Sequence, residues 1–303
     1  MLEIKDFQSK VVTLLGDIAI KLDEPMSKHT SFRIGGAADV MVFPKTPEEL
    51  AKVLKVSALL DSKTYILGAG TNILAPDEGL RGIVICLKDS LDGMKQLDET
   101  HIYVGGGVTM TRAAVFAAGL GLSGLEFAHG IPGTVGGGVF MNAGAYGGEI
   151  CQVCTQVDVM TMQGQIVRYT GEQMAFSYRH SRLEEEFAIV IGAEFALLPK
   201  PEEEIRAQMQ DLMGRRKTSQ PLDMPSAGSA FKRPVGGYAA ALIDQAGLKG
   251  FSVGNAAVST KHAGFAVNLG GATAQDVKGL LEEVSRRVYE HSGIHLEPEV
   301  RIW

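Results

Sequence analysis

The segment "AHGIPGTVGGGVFMNAGAYGGE", residues 128–149, decides the fold that we expect for this chain. Eight of its 22 residues are glycine, yet apolar residues such as Ile131, Val135 and Phe140 run through it. A flexible linker of this glycine content would be polar. The interleaved apolar side chains therefore predict a bare backbone that is packed inside folded protein.

Two parts of this segment predict different backbone geometries. Pro132 fixes φ and Gly133 follows it, a pair that suits a type II turn. The triplet at residues 136–138 offers consecutive amides with no Cβ in the way, which is the geometry of an anion-binding nest. The alternative is a glycine-rich turn between packed elements, without a ligand.

A second glycine-containing segment, "LGAGTNIL" at residues 67–74, follows a predicted strand. Gly68 and Gly70 would let the backbone approach a ligand, and the amides around Thr71 and Asn72 could bind phosphate oxygens. The segment is neither a P-loop nor the dinucleotide fingerprint, since it lacks Gly-Lys-Ser/Thr and the third glycine. A tight turn after a strand remains the alternative. Two such segments together indicate a long ligand with more than one phosphate, such as a dinucleotide.

Composition limits the classes of protein that the chain could belong to. It has 303 residues, of which 45% are hydrophobic, enough for a large core and for about two domains. The net charge of −6 argues against nonspecific nucleic-acid binding. Residues 1–18 resemble an amphipathic helix more than a signal peptide, and no apolar stretch is long enough to span a membrane. We expect a cytoplasmic protein.

The cysteines and histidines predict no metal site. Cys86, Cys151 and Cys154 are an odd and low number, which indicates a reducing compartment without a disulfide framework. The pair Cys151-x-x-Cys154 has no histidine at ligand spacing nearby, and the seven histidines show no zinc motif.

The order of predicted elements favours an α+β fold. A helix should begin at Pro47 with Thr46 as its N-cap, a hairpin should turn at residues 163–164, and a long helix should run from Thr273 to about His291. The chain should end in a strand, "IHLEPEVRIW". Strands and helices do not alternate regularly, so a doubly wound parallel sheet is disfavoured. The segment "PKPEE", residues 199–203, is the best candidate for a domain boundary.

Several polar residues could carry chemistry. Arg179 in "FSYRHS" has the planar fork that suits a carboxylate or phosphate, although a surface arginine would look the same. Ser229 in "SAGSAF" lacks the nucleophile elbow, so acyl transfer is disfavoured. Glu297 and Glu299 would share one face of the last strand, which could equally be a polar outer face. A basic cluster surrounds Ser229, or else marks a solvated helix end; it comprises Arg215, Arg216, Lys217, Lys232 and Arg233.

The ordered set of these segments resembles the UDP-N-acetylenolpyruvoylglucosamine reductase family. The resemblance covers nearly the whole chain after about residue 28 and depends on the set, since no single motif decides it. The matching segments are "HTSFRIGG", "ILGAGTNIL", "GLEFAHGIPGTVGGGVFMNAGAYGGE", "FSYRHS", "PSAGSAFKRP", "AALIDQAGLKG" and "LEPEVR".

The resemblance implies an FAD-binding region of the vanillyl-alcohol-oxidase (PCMH) type with two lobes, followed by a C-terminal α+β substrate-binding domain. We therefore expect an N-terminal helix in residues 1–27 and the FAD-binding region in residues 28–199, with lobes of about 28–95 and 96–199. The substrate-binding domain would comprise residues 200–303, and its last strand would return toward the flavin.

The resemblance also implies the reaction and its cofactors. NADPH would reduce non-covalently bound FAD, which would then reduce the enolpyruvyl group of the substrate to give UDP-N-acetylmuramate for peptidoglycan, and so serve cell shape and division. The residues implied to bind FAD lie in the two glycine-containing segments: Leu67, Gly68, Ala69, Gly70, Thr71, Asn72, Ile131, Pro132, Gly133, Thr134, Val135, Gly136, Gly137 and Ala143.

Three residues are implied to be catalytic. Ser229 would donate the proton, Arg179 would bind the enolpyruvyl carboxylate, and Glu299 would polarise the same group or relay a proton. Fixed cationic and hydrogen-bonding groups of this kind stabilise a developing enolate. The residues implied to bind the substrate are Arg179, Arg215, Lys217, Lys232, Lys249 and His262.

Two departures from the family pattern are mild: His29 stands where asparagine is usual and Thr71 where serine is common. The chain lacks the insertion whose tyrosine covers the substrate in some members, so we expect a more open site and most simply a monomer, with an oligomer left open. Another FAD-dependent oxidoreductase on the same scaffold, or a non-catalytic nucleotide-binding protein, would account for the glycines but not for Arg179, Ser229 and Glu299 together.

Overall fold

The computed structural model of the chain describes residues 2–303. Its α-helices are α1 (Leu2–Leu15), α2 (Pro47–Leu59), α3 (Met110–Gly119), α4 (Val135–Phe140), α5 (Leu183–Glu186), α6 (Glu202–Ser219), α7 (Ala239–Gln245) and α8 (Ala274–Ser292). Short 3-10 helices are formed by Met26–Lys28, Glu126–Gly130 and Ile150–Gln152. No helix within these residues is both long and apolar enough to cross a membrane.

The strands alternate irregularly with these helices. They are β1 (Ala19–Pro25), β2 (Ala37–Phe43), β3 (Thr64–Leu67), β4 (Ile73–Leu74), β5 (Leu80–Cys86), β6 (Met94–Gln96), β7 (His101–Gly105), β8 (Leu122–Ser123), β9 (Gly144–Ala145), β10 (Gly148–Glu149), β11 (Cys154–Thr161), β12 (Ile166–Thr170), β13 (Ala188–Ala196), β14 (Leu198–Pro199), β15 (Ser226–Ser229), β16 (Ser252–Val253), β17 (Ala256–Val258), β18 (Phe265–Asn268) and β19 (Arg301–Ile302).

The chain divides into two compact units, each assembled from separate stretches of sequence. The first unit consists of Met1–Leu22, Asp39–Ala69 and Gly82–Arg215. The second consists of Asp23–Ala38, Gly70–Arg81 and Arg216–Trp303. The second unit therefore takes two segments from the N-terminal third of the chain.

Two separate cores lie in the first unit. In one, Val11 of α1 and Val53 of α2 pack with Ile85 of β5, which belongs to a four-stranded sheet of order β1-β2-β5-β3. In the other, Ala114 of α3 and Val139 of α4 pack with residues of a five-stranded sheet of order β12-β11-β13-β7-β6. The first cluster also includes Met160, Ile189 and Ile191 of the five-stranded sheet, so the two cores do not follow a boundary near residue 95.

The second unit is built on a four-stranded antiparallel sheet of order β15-β18-β17-β16. Its core contains Val277 and Val284 of α8 together with residues of the sheet. Phe32, Ile34 and Leu74, which come from the N-terminal third of the chain, are buried in the same core. This core is therefore shared between C-terminal residues and segments from the N-terminal third of the chain.

Local signals explain the elements that the sequence predicts correctly. The Thr46 hydroxyl accepts a hydrogen bond of 3.3 Å from the amide of Glu49, and Pro47 opens α2. Strands β11 and β12 form the predicted hairpin, with Gly164 at a φ of +78°. Helix α8 begins after Thr273, as predicted, in a capping box with Asp276.

The predicted C-terminal strand is mostly wrong. Only Arg301–Ile302 is a strand, and it pairs in parallel with Ile73–Leu74. Residues 294–300 lie outside regular strands, with an isolated bridge between Phe231 and Pro298. Alternating polar and apolar residues in this segment are therefore not evidence of sheet pairing along its full length.

Candidate functional site

The glycine-containing segment at residues 67–74 begins where β3 ends. Leu67 is buried, and its carbonyl accepts the Leu87 amide at 2.8 Å. Gly70 has a φ of +64°, and a Cβ added there would lie 2.0 Å from the carbonyl oxygen of His29. Both the left-handed backbone and the close approach require glycine at this position.

The amides of residues 68–72 are available donors. Within residues 2–303 none of them donates a hydrogen bond to another group. Buried or half-buried amides normally have partners, so a run without them indicates a ligand with acceptor oxygens. This observation agrees with the predicted phosphate-binding role of the segment and fits the pyrophosphate of a dinucleotide.

The glycine-rich segment at residues 128–149 differs from the prediction. Its triplet lies inside α4, whose N-cap is Thr134, and the amides already have acceptors. The Val135 amide donates to Val108 O at 2.7 Å, and the Gly136 amide to Gly106 O at 2.8 Å. The Gly137 amide donates to the hydroxyl of Thr134 at 3.3 Å. The interpretation of the triplet as an anion nest is therefore wrong.

Close packing explains part of the glycine content of α4. A Cβ at Gly138 would lie 2.8 Å from the Met110 sulfur, and one at Gly136 would lie 3.0 Å from the Gly106 carbonyl oxygen. Ala143, a predicted cofactor residue, is 5% exposed, and its amide donates to Gly138 O at 2.8 Å. Within residues 2–303 the amides of Gly133 and Thr134, which precede the helix, donate no hydrogen bond.

The two segments meet in the first unit. A Cβ added at Gly68 would lie 2.6 Å from the Thr134 hydroxyl oxygen, and Thr134 is itself 2% exposed. The absence of a side chain at Gly68 thus allows the end of β3 to contact the N-terminus of α4. The sequence predicted both segments as parts of one site, and Gly68 of one and Thr134 of the other are neighbours.

In the second unit, Ser229 and Glu299 both lie next to Ala230. Ser229 is exposed at the end of β15, opposite Phe265 of β18. The next residue, Ala230, donates its amide to Gly264 O at 2.8 Å and accepts the Glu299 amide at 2.9 Å. The structure therefore brings together two of the three predicted catalytic residues, which are far apart in sequence.

Glu299 also contacts the end of the segment at residues 67–74. The side-chain amide of Asn72 donates to Glu299 O at 3.1 Å, and the Arg301 amide donates to Asn72 O at 3.0 Å. Asn72 is a predicted cofactor residue, so the C-terminal segment lies beside a predicted FAD contact.

Arg179 belongs to the first unit and sits on a tight turn. Ser177 and His180 exchange backbone hydrogen bonds of 3.1 and 3.2 Å, with Tyr178 and Arg179 between them. Arg179 has a φ of +56°, which is uncommon for a side chain of this size. Its Nη2 donates to Gly144 O at 3.2 Å. Strained backbone of this kind is often found at functional sites.

His262 has a defined tautomer. The Gly264 amide donates to its Nδ1 at 3.1 Å, and an amide can only donate, so the proton of the neutral ring is on Nε2. Burial, and to a smaller extent the charge of Lys249, lowers the pKa of His262 below its usual value. The neutral, half-buried imidazole of His262 therefore offers an Nε2–H donor close to β15, the strand that carries Ser229.

The predicted substrate-binding cations are mostly exposed and paired with acids. Arg215 lies 2.7 Å from Asp211. Lys249 lies 2.7 Å from Asp244, and Lys232 pairs with Glu297. Exposed pairs of this kind contribute little stability, so an anionic ligand could replace the carboxylates.

Sequence reasoning missed Lys261, whose Nζ donates to the carbonyl of Lys217 at 2.6 Å. This contact places a further cation at the C-terminal end of α6, next to a predicted substrate-binding residue. Its only sequence signal was its position immediately before His262.

The cysteines show no sign of redox or metal chemistry. Cys154 is buried, which raises the pKa of its thiol to about 12, and burial also raises the pKa of the Cys151 thiol. Both are therefore protonated thiols near neutral pH. Within residues 2–303 no cluster of three or more His, Cys, Asp or Glu side chains is arranged to hold a metal ion.

Two stretches of the chain match known protein domains. Residues 38–170 match an FAD binding domain. Residues 220–303 match the C-terminal domain of UDP-N-acetylenolpyruvoylglucosamine reductase.

The chain is similar to known reductases over nearly its full length. The chain is 44% identical to UDP-N-acetylenolpyruvoylglucosamine reductase of Syntrophomonas wolfei, over 97% of this chain and 98% of that protein. It is also 44% identical to the reductase of Agathobacter rectalis, over 98% of each. The crystal structure of the Thermus caldophilus reductase superposes with a TM-score of 0.77 at 36% identity, covering 94% of this chain and 98% of that one. The predicted fold, an α+β FAD-binding region with a C-terminal α+β domain, is confirmed.

Proposed function

Because the chain belongs to the UDP-N-acetylenolpyruvoylglucosamine reductase family, we propose that it reduces UDP-N-acetylglucosamine enolpyruvate to UDP-N-acetylmuramate for peptidoglycan synthesis. The observation that carries this proposal is the match to reductases over almost the full length of both chains. FAD is the cofactor, in keeping with the FAD-binding domain, and we propose NADPH as the reductant.

The residues present fit FAD. The unpartnered amides of residues 68–72 would hold the pyrophosphate, and the bare backbone at Gly70 would lie against it. A second side of the cofactor would contact Ile131, Pro132 and the amides of residues 133–134. Gly136 and Gly137 would contribute by the absence of side chains, since their amides are already bonded.

Bound FAD supplies hydride transfer, first from NADPH and then to the methylene carbon of the enolpyruvyl group. Ser229 would donate a proton from its hydroxyl to the neighbouring carbon. Its exposure on β15 is consistent with access to a substrate. A serine hydroxyl is a weak acid, so its donation requires groups that stabilise the alkoxide.

Arg179 and Glu299 would act on the enolpyruvyl carboxylate and the developing enolate. A guanidinium binds a carboxylate through two parallel hydrogen bonds, which orients as well as attracts it. The Glu299 backbone is fixed by its bonds to Ala230 and Asn72, so its side chain starts from a defined position. Fixed groups of this kind lower the barrier because they need no rearrangement during the reaction.

The diphosphate and uridine of the substrate would contact the basic residues. Lys217 and Lys232 would bind phosphate oxygens, together with Arg215 and Lys249. His262, as a neutral Nε2–H donor, is better suited to a carbonyl or hydroxyl oxygen than to charge neutralisation. Each exposed cation would exchange its carboxylate partner for the ligand.

We also propose how this activity is distributed and where it takes place. Residues 28–199 would provide most of the FAD contacts, and residues 200–303 would bind the substrate. The reaction uses a nucleotide-activated sugar and a nicotinamide, both cytoplasmic metabolites, so we place the chain in the cytoplasm as a monomer that supports cell shape and division.

One experiment tests the function. The purified chain should show flavin absorbance or bind added FAD, and NADPH oxidation should depend on the enolpyruvyl sugar nucleotide. Flavin without this dependence would point to another FAD-dependent oxidoreductase on the same scaffold. Failure to bind FAD at all would refute every flavoenzyme assignment.

A further inference from the structure

Asn142 is a buried polar residue that the proposed chemistry does not use. It is 1% exposed and has a φ of +45°, in the left-handed region that asparagine tolerates better than most residues. It lies in the "NAGAYGGE" end of the segment that decides the fold. A buried amide side chain is costly unless its donors and acceptor are satisfied, so its contacts show what it holds.

The side chain of Asn142 joins three parts of the first unit. Its Nδ2 donates to Ser177 O at 2.9 Å and to Glu149 Oε2 at 3.2 Å. Its Oδ1 accepts the Cys151 amide at 3.0 Å. Both the donor and the acceptor ends of the amide are thus engaged. Aspartate could not donate to Ser177, and alanine could make none of these bonds.

Ser177 is the first residue of the turn that carries Arg179. The backbone bonds between Ser177 and His180 close this turn, and Arg179 occupies it with a φ of +56°. Such a conformation persists only where surrounding contacts hold it. Asn142 supplies one of these contacts at the turn's entry.

The same segment also holds the guanidinium. Gly144 follows Asn142 closely in the chain, and its carbonyl accepts a hydrogen bond from Arg179 Nη2 at 3.2 Å. The segment around Asn142 is therefore tied to the Arg179 turn at two points. The Asn142 side chain bonds the Ser177 carbonyl, and the Gly144 carbonyl accepts the Arg179 guanidinium. A shift of this segment would change the direction in which the guanidinium points.

We propose that Asn142 is a positioning residue for Arg179, holding the guanidinium in the orientation that binds the enolpyruvyl carboxylate. The inference rests on the function proposed for Arg179. An error of about 1 Å in the position of a binding group can lower a rate by roughly 100-fold, so the effect should be measurable.

The test is a double-mutant cycle with the flavin half-reactions as readout. Asn142→Ala should slow substrate-dependent reoxidation of reduced flavin by roughly 10- to 100-fold, while flavin reduction by NADPH changes by less than about twofold. In an Arg179→Ala background, adding Asn142→Ala should cause little further loss. Asn142→Asp, which keeps the volume, should behave like Asn142→Ala and covers the case in which the alanine variant does not fold.

A matched control separates positioning from stability. Val157 is fully buried in the core of the same lobe, so Val157→Ala should lower the melting temperature and leave the reoxidation rate unchanged. The role of Asn142 would be overturned if the two losses of reoxidation rate multiplied in the double variant. It would also be overturned if Asn142→Ala slowed both half-reactions equally. Normal reoxidation in Arg179→Ala alone would instead overturn the role proposed for Arg179.

Discussion

At the scale of single residues, the proton-donor role of Ser229 makes the sharpest prediction. Ser229→Ala should leave flavin reduction by NADPH intact, because the hydroxyl has no part in that step. Reoxidation by the enolpyruvyl substrate should slow by about 100-fold or more, the usual contribution of a general acid. Stopped-flow absorbance at the flavin band measures both steps separately.

Ser226→Ala is the matched control, since Ser226 opens the same strand, β15, and its backbone bond from Ser31 would remain. Both half-reactions should be unchanged in this control. Equal slowing of the two half-reactions in Ser229→Ala would contradict a role in proton donation.

Gly70 makes a second residue-scale prediction, about cofactor binding. Gly70→Ala should weaken FAD binding and lower the free energy of unfolding by roughly 1–3 kcal/mol. The reason is that the new Cβ meets the His29 backbone oxygen in a left-handed conformation, so no side-chain movement can relieve it. Titration of flavin-free protein with FAD, followed by flavin fluorescence, measures the first effect, and urea unfolding measures the second.

The control for Gly70 is Gly214→Ala. Gly214 lies within α6, where an added Cβ meets nothing within 4 Å. Alanine should therefore preserve FAD affinity and stabilise the helix by up to about 1 kcal/mol. An unchanged FAD affinity in Gly70→Ala would show that this backbone does not lie against the cofactor.

Residue-scale prediction reached the local backbone but not its long-range partner. The sequence predicted close approach of Gly70 to a ligand, whereas the contact that requires glycine there is with the His29 carbonyl oxygen. The triplet at residues 136–138 was misread because the acceptors of its amides, Gly106 and Val108, come from another part of the chain. Asn142 was missed for the same reason: its main partner, Ser177, is distant in sequence and carries no visible signal.

At the scale of elements, α8 shows how a distant segment completes a helix. The Asp77 carboxylate accepts the amides of Ala274 at 2.7 Å and Gln275 at 3.2 Å, which are first-turn donors without intrahelical partners. Asp77→Ala should therefore destabilise the second unit by about 1–2 kcal/mol. Urea unfolding followed by the fluorescence of Trp303, the single tryptophan, measures this unit.

Glu78→Ala removes a neighbouring exposed acid and is the control for Asp77. It should leave the unfolding midpoint nearly unchanged, because surface charge alone contributes little. Equal midpoints for the two variants would mean that the carboxylate of Asp77 does not stabilise the helix.

Elements with their own boundary signals were predictable from the sequence. Thr46 and Pro47 mark the start of α2, and Thr273 marks the start of α8, because caps act within one turn. The C-terminal strand had only alternation as its signal. Alternation describes faces but does not supply a pairing partner, and only Arg301–Ile302 finds one in β4.

At the scale of the whole molecule, the sequence indicated two domains separated near residue 200 but not how each is assembled. The second unit includes residues 23–38 and 70–81, which carry no compositional mark that would assign them to it. Long-range membership of this kind depends on which apolar residues share a core. This sharing is visible only in the structure, where Phe32, Ile34 and Leu74 are buried together with residues of α8.

This assembly predicts that residues 200–303 do not fold alone. The fragment would lack Phe32, Ile34 and Leu74 from its core, and each lost large side chain costs about 2–5 kcal/mol against a typical total of 5–15 kcal/mol. It would also lack Asp77, which caps α8, and β4, the partner of β19. Circular dichroism and proton NMR of the fragment should show a largely unfolded chain, whereas the intact chain unfolds cooperatively. Dispersed NMR signals and a cooperative transition in the isolated fragment would show that the N-terminal segments are accessory to this unit, not required for its core.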